Sequence, residues 1–73
     1  MKFIEMSGKT LLKLVNEEEI QALRHAGIGE HSLVRVNPQG DVEVRHHAEW
    51  TIIGGLLGDF ESRVKRTTGL DWA

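Results

Sequence analysis

Cysteine is absent from these 73 residues, which removes disulfide frameworks, thiolate zinc sites and thiol nucleophiles together. Tyrosine is absent too, and aromatic residues make up only 5% of the chain. Single-stranded nucleic-acid binders usually present aromatic platforms in a positive groove, and here the Trp and Phe residues are expected to serve the core. Neither sign of charge dominates, since the formal net charge is −2; that predicts neither a phosphate-coating surface nor an acidic tail. No apolar run reaches the roughly 18 residues of a membrane span. The opening Met-Lys-Phe-Ile-Glu-Met is broken by Glu5 before a signal-peptide core forms, so a cytoplasmic location without a membrane partner is expected.

The chain is 40% hydrophobic and 27% charged, the composition of one small globular domain over residues 1–73. Domains of this size bury only about 60% of the surface their unfolded chains expose, and they often lean on a staple or a partner. With disulfides and thiolate metal sites excluded, oligomerisation becomes the more expected support.

Lys2 to Met6 reads as a first strand, rich in large apolar residues and closed by Ser7-Gly8. Thr10 to Val15 reads as a short helix or helical turn capped by Thr10. Asn16-Glu17-Glu18-Glu19 is a helix start, with carboxylates at the positive end and Glu19 placed to reach back to Asn16. Gly27 supplies a left-handed stop, with Leu23 and Ile28 placed as the apolar pair of a Schellman ending, so a helix is expected over Glu17 to Ala26.

His31 to His46 reads as a hairpin about Asn37-Pro38-Gln39-Gly40-Asp41. A three-residue loop, Pro38 to Gly40, pairs Val36 with Val42 and Val34 with Val44 on one face, and Arg35 with Glu43 on the other. Loops of two or four residues would set the valines opposite polar partners.

From Trp50 to Val64, the residues Trp50, Ile53, Leu57, Phe60 and Val64 recur at helical spacing, which predicts a long C-terminal helix packed on the hairpin valines. Gly54, Gly55 and Gly58 each cost such a helix roughly 1 kcal/mol, against roughly 1.5 to 3 kcal/mol for each large side chain buried. The opposite side of this helix would be bare, with Thr51, Gly55, Gly58 and Ser62 in a row and Gly54 beside them. In the competing reading Glu49 to Ile53 is a fourth strand, Gly54-Gly55 a hinge, and a shorter helix begins near Leu57. Gly69 offers a final stop, with Leu70 placed to touch Val64 and Trp72 to fold back on the core. The expected fold is α+β: a small antiparallel or mixed three-stranded sheet packed by two helices in the order β-α-β-β-α, or alternatively four strands with a shorter C-terminal helix.

The run Ile53-Gly54-Gly55-Leu56-Leu57-Gly58-Asp59-Phe60, with the opening Met1 to Thr10 and the closing Gly69 to Ala73, resembles a group of short uncharacterised bacterial proteins. That resemblance spans nearly the whole chain and implies no activity, cofactor or site residue.

Ser7-Gly8-Lys9-Thr10 imitates the end of a phosphate-binding loop, but the glycine needed five positions before Gly8 is Phe3, and a turn with a helix cap is the reading that remains. His31 and His47 fall opposite one another on the non-valine side of the hairpin, as low-ranking metal ligands; two imidazoles fall short of the three or four ligands zinc takes. Arg63, Lys65 and Arg66 form a small basic cluster that would serve an accessory nucleic-acid-binding role, against the simpler reading of a helix end complementing its dipole. No nucleophile elbow or spaced carboxylate pair argues for catalysis, so no enzyme and no cofactor are expected. The leading expectation is a small protein-interaction module whose partner is itself or another protein. It would self-associate, as a homodimer, through Thr51, Gly54, Gly55, Gly58 and Ser62.

Overall fold

The structure, a computed structural model, describes residues 2–72; Met1 and Ala73, at the two ends of the resemblance noted above, lie outside the described residues. The elements run β1 (Ile4–Ser7), α1 (Gly8–Leu14), α2 (Glu17–His25), β2 (Leu33–Val36), β3 (Asp41–His46), β4 (Glu49–Gly55) and α3 (Phe60–Thr68). The sheet is an antiparallel meander of four strands in the order β1-β2-β3-β4. This is the four-stranded alternative, and the expectation of three strands and two helices is corrected to four and three.

The central hairpin has the register its valines require. Val34 pairs with Val44, Arg35 with Glu43 and Val36 with Val42, while β1 adds Ile4 opposite Val36 and Met6 opposite Val34. Alternation then turns one whole face apolar. The turn is held by Asn37, whose Oδ1 accepts from the backbone N–H groups of Gln39 (3.0 Å) and Asp41 (2.9 Å). An Asn side chain that closes a loop in this way substitutes for backbone turn bonds.

The apolar face is covered by all three helices. Val34, Val36 and Val42 are 0% exposed beneath Leu11 and Leu14 of α1, Leu23 of α2, and Phe60 and Val64 of α3. Ser7 rather than Thr10 caps α1, its Oγ accepting from Thr10 N–H at 3.2 Å. The end of α2 is a Schellman ending: Ile28 N–H bonds Leu23 O and Gly27 N–H bonds Arg24 O, with Gly27 at φ 101°. Trp72 does fold back, donating its Nε1–H to Val36 O at 2.9 Å and meeting the Phe60 ring edge to face. Leu70 remains 53% exposed. Among the described residues no helix is long and apolar enough to cross a membrane.

The long C-terminal helix is the expectation the structure overturns. Trp50 to Gly55 runs extended and pairs with β3, from His46–Glu49 to Asp41–Gly55, and α3 starts only at Phe60. The space over the valines is shared by α1, α2 and the short α3, so a helical stripe running back to Trp50 has no core left to meet. As a strand, Trp50, Thr51, Ile52 and Ile53 are in their preferred conformation, and three helix-interior glycines are avoided. Trp50 and Ile53, three apart, point to opposite faces of the strand and share no stripe; beyond Ile52 a register shift pairs Glu43 with Ile52 and Val42 with Gly54, leaving Ile53 as an extra residue. Ordinary alternation puts Ile52 on the face opposite the helices, while Ile53 packs against the core.

The corner between β3 and β4 closes in two residues, His47 and Ala48, although it holds no Gly, Asn or Asp. His47 takes φ 57°, a left-handed conformation that costs an ordinary L-residue about 1 kcal/mol. His47→Gly is therefore expected to raise stability by about 0.5 to 1 kcal/mol in urea unfolding. Gly8 gives the opposite result. A Cβ there would lie 1.9 Å from Gly29 O, where the N-terminus of α1 lies against the loop before β2 and Gly8 N–H bonds Ser32 O at 2.7 Å. Gly8→Ala is expected to cost at least about 3 kcal/mol. An unchanged unfolding midpoint would contradict this close approach.

Candidate interaction surface

Covering one side of a four-stranded sheet with three helices leaves the other side bare. Phe3 just before β1, Glu5, Arg35, Glu43, Arg45, Trp50 and Ile52 follow one another across this open face by register alone. Arg35 is its centre. The guanidinium carbon lies 3.7 Å from the centroid of the Phe3 ring and 4.3 Å from that of Trp50. Its Nε and Nη2 both donate to Glu43 Oε1, at 3.1 and 2.8 Å. Glu43 is only 8% exposed as a result. Arg45 approaches the Trp50 ring at 5.4 Å. A flat cation stacked on aromatic rings and bonded to a carboxylate is an arrangement that Arg makes and Lys does not. Beside it Ile52 is 66% exposed and Leu33 45%. Phe3 and Trp50 therefore serve the open face, and only Phe60 and Trp72 serve the core, which corrects the expectation that all four would be internal.

A second polar cluster binds the helices together. Glu19 Oε1 accepts from Asn16 N–H at 2.9 Å and Oε2 from Leu57 N–H at 3.1 Å. Arg63 of α3 reaches the same carboxylate with Nη1 at 3.1 Å, and the same nitrogen donates to Leu14 O at 2.9 Å. Its Nη2 donates to Leu57 O, and its Nε lies 3.3 Å from Asp59 Oδ1. The two side chains are 11% and 12% exposed. Burial tends to raise the Glu19 pKa, but the Asn16 and Leu57 amides and the Arg63 guanidinium together hold it below its ordinary value.

The residues singled out in the sequence are scattered by this fold. Thr51, Gly54 and Gly55 lie in β4, Gly58 in the following loop at φ 72°, and Ser62 in α3. They share no helix face, because the helix that would align them does not form. Of the basic cluster, Arg63 is consumed by Glu19, Lys65 stands 3.7 Å from Asp71, and Arg66 is exposed. His31 lies in a turn before β2 and His47 in the β3–β4 corner, while the β2–β3 pairing ends at Val34–Val44, short of both. The His47 ring meets His46 edge to face at 4.9 Å. Among the described residues no group of three or more His, Asp or Glu side chains could hold a metal ion. The open-face cluster escapes sequence reading in part: register aligns Arg35 with Glu43, but placing Trp50 beside them requires β4 to be recognised as a strand.

Comparison with protein-family models, with curated proteins and with solved structures yields no match.

Because Glu19 is held below its ordinary pKa, its contribution to stability is full above the unfolded-state value and is lost as pH falls through the folded-state value. Glu19→Gln is expected to be less stable than wild type at pH near 7, with the gap closing in acid. Arg63→Ala, which strips the partner from a largely buried carboxylate, is expected to cost about 3 kcal/mol near neutrality. Urea unfolding across that pH range checks both; a gap that widens in acid has the wrong sign.

Proposed function

We propose that the chain is a small, non-enzymatic protein-interaction module that self-associates through the open sheet face and its β4 border. The observation that carries this reading is the Arg35 stack on Phe3 and Trp50 beside the exposed Ile52. Arginine and tryptophan are the side chains most enriched among residues that dominate binding energy. A stack already fixed by the Arg35–Glu43 ion pair also loses little side-chain freedom when a partner arrives. The balance of charge favours a second copy: Glu5 and Glu43 stand among Arg35 and Arg45 on one face, so two copies approach without net repulsion.

An accessory nucleic-acid role has less support, because Arg63 is engaged inside the fold and the nearest rings to Arg35 are stacked on that guanidinium.

Sedimentation equilibrium tests the proposal. The wild-type weight-average mass is expected to rise toward that of two chains over the micromolar to tens-of-micromolar range. Ile52→Lys, which alters an exposed side chain and leaves the core intact, is expected to weaken association about tenfold or more. A mass of one chain throughout for the wild type would refute self-association.

A further inference from the structure

Within that self-association, we infer that the contact is made edge to edge: β4 of one protomer pairs antiparallel with β4 of its partner about a two-fold axis at Thr51, joining the two sheets into one of eight strands. The inference rests on the reading above and specifies where and in which register the second copy docks.

Among the described residues no strand pairs with the outer side of β4. An unpaired edge is a row of N–H and C=O groups whose natural complement is another strand, and folds commonly blunt such edges by shortening them or by placing Lys or Pro on them. The far edge, β1, is blunted: it is four residues long and runs straight into α1. The β4 edge is seven residues long, carries neither Lys nor Pro, and is built of Trp50, Thr51, Ile52 and Ile53. Glu49, Thr51, Ile52, Gly54 and Gly55 are exposed along it.

The residue pattern selects a second copy of the same strand. With Thr51 at the axis, Thr51 stands opposite the partner's Thr51, and Trp50 opposite the partner's Ile52 twice over by symmetry. Thr–Thr and aromatic–β-branched pairs are favourable cross-strand neighbours. Trp50 and Ile52 both lie on the open face, so these pairs cover the exposed isoleucine and extend the Arg35 stack across the axis. Glu49 is the only charge in β4, and in this register its two copies stand four strand steps apart, about 14 Å, beyond a Debye length in physiological salt. Parallel pairing in register would set Glu49 against the partner's Glu49. The bulge at Ile53 restricts regular pairing to Glu49 through Ile52, and the pairs of this register, Trp50, Thr51 and Ile52, fall inside that stretch. Contact between two short strands buries less than the roughly 800 Å² per partner of a standard interface, in keeping with association in the micromolar range.

Cysteine cross-linking tests the register, because the chain has no thiol of its own. Residues opposite one another in an antiparallel pair have Cα atoms roughly 4.5 to 5.5 Å apart, within reach of a disulfide. Thr51→Cys at tens of micromolar is expected to oxidise to a disulfide-linked dimer at least about tenfold faster than Glu61→Cys on the exposed side of α3. Thr51→Lys, read by sedimentation, is expected to weaken the dimer about tenfold or more and so gives a readout that needs no oxidation. If the wild type dimerises while Thr51→Cys links no faster than Glu61→Cys, or Thr51→Lys leaves the dimer intact, the edge contact is wrong and self-association stands. If the wild type remains a monomer, both fall.

Discussion

With three short helices to spend, the chain can shield one side of its sheet and no more, and the rest of the molecule follows from that limit. Hydrophobic burial is concentrated where Val34, Val36 and Val42 meet Leu11, Leu14, Leu23 and Val64, since apolar area removed from water is the largest stabilising contribution available to a domain of this size. The opposite side must then be stabilised by other means. Arg35 supplies them, laying a flat cation across two rings and anchoring it on Glu43. The open face is thereby ordered without being covered.

The polar cluster on the helix side solves a different problem. Three helices cover the sheet, and the ends of two of them together with the loop before α3 converge around Glu19 and Arg63. Each helix end carries unsatisfied backbone groups, and one ion pair satisfies an N-terminal amide at Asn16, a carbonyl at Leu14, and an amide and a carbonyl of Leu57. A charge that looks in sequence like part of a basic patch is thus committed to internal architecture. Its neighbour Lys65 remains at the surface beside Asp71.

How much of this was legible in the sequence depended on whether the deciding interaction was local. The Val36–Val42 register, the Arg35–Glu43 pair, and the start and stop of α2 are set by residues a few positions apart, and they are found where pattern places them. Trp50 to Val64 misleads because its apolar spacing suits a helix while Trp50 to Ile53 also suits a strand, and the choice is made by the helices already packed on the valine face. The glycine stripe rests on that helix and the basic trio on charge alone, and both dissolve once β4 and the Glu19–Arg63 pair are in place. The β3–β4 corner gave no warning, since His47 adopts a conformation that its sequence neighbours do not advertise.

The two tryptophans end up on opposite sides of one thin layer: Trp72 half-buried against Phe60 on the helix side, Trp50 half-buried against arginines on the bare side. Their emission therefore reports on different compartments of the molecule. A probe of the helix side and a probe of the open side are built into the same chain, so replacing either indole with phenylalanine leaves a spectroscopic label for the other side.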